Sequence, residues 1–323
     1  MNSVAAGKTA LKSIRLPLRC PADRRRSLRR RSLSLALVLG LATVAQSESP
    51  AYGESESWKL LRPVIGWIEQ HRIEAGQTLH DVAFVHRLGF EAVRRLNPDL
   101  DPWLPGEDTV VRLPTRYVLP PAEPTGLVIN LPEMRLYDFL DAPRTRVLAI
   151  AIGDREDPTP IKSFKVGPKQ IDPFWKVPKS IRRERPELPP LVPPGPENPL
   201  GTRWMTLGRT SYGIHGTNVR WSIGRGSTHG CVRLYEDVMQ ALFDRVPEGT
   251  AVQIVYAPYK WGRNGKDLLL EAHHDVYGRI PARFEAAMAV PKRLGLLANI
   301  DIDRAWQVVE EAEGIPVVVG TLP

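Results

Sequence analysis

The sequence holds only two cysteines, Cys20 and Cys231, in 323 residues, which excludes a small secreted scaffold built on disulfides. Long apolar runs are also missing. The stretch from Leu33 to Val44 falls short of the about 20 residues that a membrane-spanning helix needs. Metal-ligand spacing is absent, with neither paired cysteines nor a His-x-x-x-His, so His215, His229 and Cys231 rank poorly as a zinc set. Surplus positive charge disappears once residues 1–45 are set aside. Those residues hold ten of the 44 Lys and Arg against one acid, Asp23, and the remainder carries 34 basic against 35 acidic side chains. A nucleic-acid partner therefore loses its electrostatic footing.

The basic stretch ending at Arg31, the apolar run to Val44 and the small and polar residues Ala45, Gln46 and Ser47 follow the order of a secretory signal peptide over residues 1–45. An uncleaved anchor is the competing reading of the same run. Cleavage leaves no transmembrane span and makes Cys231 the sole cysteine of an exported, periplasmic protein. An unpaired thiol in such a compartment asks for a chemical reason.

Residues 46–68 read as a linker, with a short helix in the apolar patch from Trp58 to Ile68. Residues 69–115 form a strand, helix, helix, strand module: Gly76 permits a turn, Thr78 and Asp81 give a capping-box start, and Leu79, Val82, Ala83 and His86 share one helical face. A proline-rich connector, Pro114 to Pro124, leads into residues 125–257. There, strand-like runs at Leu127–Asn130, Arg135–Phe139, Val147–Ile152, Phe164–Val166, Trp204–Leu207, Gly213–His215 and Val252–Val255 predict a mainly β domain. One helix is expected from about Tyr235 to Val246, with Val238, Leu242 and Val246 on one face. The fold class is thus α+β, mainly β, with a small βααβ domain in front. Pro186 to Pro199 carries seven prolines in fourteen residues and reads as a lid with neither helix nor ladder. Residues 258–323 read as an Asn264-Gly265 hairpin followed by a helical extension packed on the β domain.

Chemistry concentrates in Ile214-His215-Gly216-Thr217 and, ten residues on, Ser227-Thr228-His229-Gly230-Cys231-Val232-Arg233-Leu234. A thiol needs a nearby base or cation to populate its thiolate, and His215 at a strand end is placed to serve Cys231. Gly230 allows a sharp turn whose N–H groups can face one carbonyl oxygen, and Gly216 leaves room for substrate to approach His215. Arg233 either holds a carboxylate with its planar fork or pins the loop internally. A buried structural cysteine is the bland alternative, and the His-Gly-Cys setting speaks against it. His71, His80, His86, His273 and His274 have no partner pattern.

This string resembles the signature of the L,D-transpeptidase (YkuD-type) catalytic domain, and the likeness extends over roughly residues 125–272, including Asn198-Pro199-Leu200-Gly201. Where the family has Thr-Pro-x-Gly-x-Phe, this chain has Lys162 in place of glycine within Thr159 to Phe164. The module resembles a LysM domain through Ala75-Gly76-Gln77-Thr78-Leu79, Asn97-Pro98 and Pro105-Gly106, although Gln77 stands at a position usually acidic. A purely structural spacer is the alternative for it.

The resemblance implies a β-sandwich catalytic domain that uses no cofactor and no metal. It makes Cys231 the acylated nucleophile, His215 the base and the Gly216 carbonyl its orienter. It sets His229, Gly230 and Cys231 on the oxyanion side, with Thr228 and Arg233 near substrate. The implied partners are peptidoglycan tetrapeptide stems and glycan strands. The diaminopimelate acyl group passes to a second stem or to the Lys of an outer-membrane lipoprotein, and likeness to Gram-negative members leans toward the latter. A hydrolase on the same scaffold and a silent wall-binding protein are the other readings.

Overall fold

The computed structural model describes residues 60–322. The leader, Cys20 and the first part of the expected linker lie outside the described residues.

Leu127–Asn130 is buried at all four positions, the pattern of a strand covered on both faces. It pairs parallel with Ala251–Val255 and antiparallel with Arg135–Asp141. The eight-stranded sheet around it runs in the order Val232–Arg233, Gly213–His215, Arg203–Leu207, Ser163–Ile171, Ala251–Val255, Leu127–Asn130, Arg135–Asp141, Arg144–Ala149. In the main core Leu127, Ile129, Met205, Ile214 and Val232 meet the helix Glu236–Arg245 through Met239, Leu242 and Phe243. Burying each such side chain is worth about 1.5–3 kcal/mol. Val238 is only partly buried, so the apolar stripe is turned slightly from the expected one. A second cluster gathers Leu119, Val128, Tyr137 and Phe139.

The βααβ module forms as its sequence dictates. Glu69–Arg72 pairs antiparallel with Val110–Leu113, and the helices Leu79–Val85 and Phe90–Leu96 close over Ile73, Val111 and Leu113. Thr78 accepts from the Asp81 N–H at 3.2 Å while Asp81 accepts from the Thr78 N–H at 3.1 Å, the reciprocal cap expected.

Three local expectations change. Residues 62–66 are a strand rather than part of a linker helix, because Pro63 cannot donate within a helix and Val64-Ile65 favour extended backbone. That strand pairs parallel with Tyr259–Asn264 and antiparallel with Arg116–Val118, which itself belongs to a ladder rather than a free connector. The C-terminal residues are more than an extension: Asp267–Ala272 and Pro316–Thr321 complete a five-stranded sheet with these strands. The helices Arg283–Arg293 and Ile302–Glu311 cover it, around a core that includes Leu61, Trp261, Leu270, Ala305 and Val309. The proline-rich segment does make a ladder, since Leu191 and Val192 stand between proline pairs and keep their N–H groups. They pair with Trp175–Lys176, and a short helix, Lys179–Glu184, lies between.

The C-terminal sheet is joined to the β domain through buried charge. The Lys260 Nζ lies 2.8 Å from Glu133 and 3.2 Å from Glu271, and the Arg135 Nη1 lies 2.8 Å from Glu271 and 3.1 Å from Glu133. Glu133, Glu271 and His273 would make a three-ligand metal set by distance, but two cations already balance the two carboxylates.

Candidate active site

Strand register assembles the site. Ile214 pairs with Val232 and His215 with Arg233 in a parallel ladder. Side chains alternate along a strand, so Ile214 and Val232 enter the core while His215, Cys231 and Arg233 face the other way. All three line one cavity of about 390 Å³. Its far wall comes from the segment before and within the short helix, including Phe174, Trp175, Lys176 and Ile181, and from Pro199 and Leu200. The buried Asn198 ties this covering segment down, with its amide donating to the carbonyls of Pro173 and Pro193 at 2.8 and 3.2 Å.

The His215 ring is 2 % exposed, and its Nδ1 lies 2.7 Å from the Gly216 carbonyl. A carbonyl can only accept, so Nδ1 carries the hydrogen and Nε2 of the neutral ring keeps its lone pair. Burial, helped by the Arg233 charge, lowers the imidazole pKa to about 3, against the opposing pull of the Gly216 and Leu200 carbonyls. Trp204, the strand partner of His215, stacks on it with centroids 5.5 Å apart at 25°. Gly213 makes this possible, because a Cβ there would meet the Trp204 ring at 2.4 Å.

Cys231 is partly exposed, with Sγ 4.0 Å from the Ser211 carbonyl. Burial pushes the thiol pKa up, while the Gly213 N–H and Arg233 pull it down without prevailing. Both shifts run toward the neutral forms, against the standing thiolate expected from the sequence.

The turn before the nucleophile is stitched by Thr228, whose buried hydroxyl accepts from the Gly230 N–H at 3.2 Å and donates to the Cys231 carbonyl at 2.6 Å. Gly230 has φ +93°, and a Cβ would lie 2.5 Å from a Tyr212 ring carbon, so the expected sharp turn is there and excludes other residues. His229 lines the same cavity at its exposed side, its Nε2 3.4 Å from Glu184 at the end of the covering helix and 3.9 Å from Asp157. The Arg233 Nε is buried with no hydrogen-bond partner, and the residue lines the cavity beside Cys231.

Gly216 has a different purpose from the one expected. A Cβ on it would lie 2.0 Å from the Glu236 Oε2, so the missing side chain makes room for a carboxylate behind the loop, not for substrate in front.

The L,D-transpeptidase catalytic domain (YkuD) pattern matches residues 124–254. The probable L,D-transpeptidase YbiS of Escherichia coli K12 is 34% identical over 254 residues, covering 75% of this chain and 83% of that protein. The probable L,D-transpeptidase ErfK/SrfK of Salmonella typhimurium LT2 is likewise 34% identical over 254 residues, with 75% and 82% covered. The chain belongs to the L,D-transpeptidase family. Among solved structures, the catalytic domain of the Enterococcus faecium L,D-transpeptidase shares 23% identity over 41% of this chain and 96% of its own, with a TM-score of 0.31.

In this transpeptidase the Cys-His pair was legible as a motif, whereas Trp204 and Glu236 were not. Both act through close approach to a glycine, Gly213 and Gly216 respectively, and the only trace in the sequence is the glycine itself. The Lys162 departure is harmless, since that side chain is exposed and the neighbouring Thr159 still accepts from the Gly153 N–H at 2.8 Å.

Proposed function

We propose that this enzyme is an exported peptidoglycan L,D-transpeptidase working through a thioester on Cys231. The observation that carries the reading is one cavity holding a thiol, a neutral imidazole with a free Nε2 and an arginine with a buried unpaired Nε. Cys231 attacks the carbonyl between diaminopimelate and the terminal D-alanine of a tetrapeptide stem, and its proton passes to the His215 Nε2. Because Thr228 takes the Gly230 N–H, the Cys231 N–H is the candidate donor to the oxyanion. Collapse breaks the C–N bond, and the D-alanine amine leaves with the proton from His215. An acceptor amine then gives a proton to His215 and attacks the thioester, restoring the thiol and forming a new amide. Arg233 holds a substrate carboxylate beside the sulfur.

Glycan contact by the LysM-like module belongs to the same proposal. It is supported by a cleft of about 410 Å³ where the module meets the β domain, walled by the exposed indoles of Trp103 and Trp221 with Asp81, Arg220 and Arg225. Export to the periplasm with cleavage of residues 1–45 is part of the same proposal; among the described residues no helix is long and apolar enough to cross a membrane.

Incubation with disaccharide-tetrapeptide, followed by product identification, tests the activity and separates acceptors. Dimers with a 3-3 link mean a second stem, a conjugate with added outer-membrane lipoprotein means its Lys, and tripeptide alone means water; no D-alanine release with any acceptor refutes the proposal. The pH profile gives an independent check. Protonating His215 stops the reaction, and its pKa is lowered to about 3, so kcat/KM stays level on the acid side until below about pH 5. An acid limb near 6.5 contradicts the burial argument.

A further inference from the structure

The His215 Nδ1 donates to the Gly216 carbonyl at 2.7 Å, and Leu200 lines the same cavity as the ring. Gly216 follows the strand Gly213–His215, with its N–H donating to the Arg203 carbonyl at 3.3 Å, and Leu200 precedes Arg203–Leu207. The Glu236 carboxylate lies between them. A Cβ built on Gly201 would lie 2.1 Å from the Glu236 Oε2, and one on Gly216 2.0 Å from the same atom. The other oxygen, Oε1, accepts from the Thr202 N–H at 2.9 Å and from the Thr202 hydroxyl, with the Gln240 amide 3.4 Å away. Oε2 is buried with no hydrogen-bond partner. A buried oxygen without a donor is costly, and it is retained where the packing of that group serves something else. An acid at the first position of a helix is favoured by the helix dipole, but that advantage does not require insertion between two glycines.

We propose that Glu236 is a positioning residue for acyl transfer. Its carboxylate is the wedge packed against the Gly201 and Gly216 turns that sets the Gly216 carbonyl against Nδ1, and so fixes the Nδ1–H tautomer that leaves Nε2 for the Cys231 proton. Glu236 touches neither the sulfur nor the cavity, and it acts through the two turns. The inference rests on His215 being the base.

The test compares Glu236→Ala, Glu236→Gln and His215→Ala in the full mature chain. Glu236→Ala is expected to lower kcat about a hundredfold with KM changed less than about threefold. Nitrogen chemical shifts of isotope-labelled histidine should move from one Nδ1–H tautomer to a mixture. Glutamine keeps the shape and an acceptor for Thr202, and it should recover kcat to within about fivefold of the parent. A Glu236→Ala enzyme within about twofold of the parent, or one that loses kcat with the tautomer unchanged, overturns the proposal. Failure of the base assignment shows separately, as D-alanine release retained by His215→Ala.

Discussion

Cys231→Ala is expected to abolish D-alanine release from a tetrapeptide stem, leaving less than about a thousandth of the parent rate. The magnitude follows from what remains. Alanine keeps the turn, since Gly230 still adopts its positive φ and Thr228 still holds the 231 carbonyl, so any oxyanion donor and the Arg233 contact survive. What is lost is the only thiol after residue 45, and with it the thioester. Substrate binding should persist while intact-mass spectrometry detects no acylated protein. Turnover above about a hundredth of the parent would mean that the thioester is not the route.

Lys260→Met should cost the fold about 3–5 kcal/mol, the usual penalty for removing one partner of a buried ion pair. Methionine fills the volume but withdraws an ammonium that is fully buried and shared by Glu133 and Glu271. Lys260 also donates to the Val118 carbonyl at 2.5 Å, while the Val118 N–H donates to Glu271 at 2.6 Å, so the loss reaches a third segment of chain. Burial alone would raise the Glu271 carboxyl, but Lys260, His273 and Arg135 outweigh it and hold it below the usual range. Folded Glu271 thus binds its proton less readily than in the unfolded chain. Its contribution is complete above the ordinary carboxylate pKa and fades as pH falls through the depressed folded value. Urea unfolding at neutral pH measures the loss, and a change below about 1 kcal/mol would show that the cluster is not a fastening.

Local chemistry was legible where one short segment contains its own explanation. Thr78 and Asp81 announce a cap, Leu127–Asn130 announces a buried strand, and His-Gly-Cys announces a nucleophile. The misread parts depend on partners far along the chain. Arg62–Gly66 looked like a helix end because its partner strand, Tyr259–Asn264, lies about 200 residues away and local periodicity carries no trace of it. The environment of Cys231 was not legible for a related reason: motif spacing reveals neighbours but not burial, and burial is the largest influence on both the thiol and the imidazole, pushing each toward its neutral form. Glu236 carries no signal of its contact in the sequence, since the two glycines that receive it are 35 and 20 positions earlier.

The βααβ module enters through Arg62–Gly66 and leaves through Arg116–Val118, and these two strands lie side by side in a sheet finished by Pro316–Thr321. Such a graft cannot swing like a bead on a string. Its place against the β domain is set by a bracket of paired strands rather than by the slack of a tether.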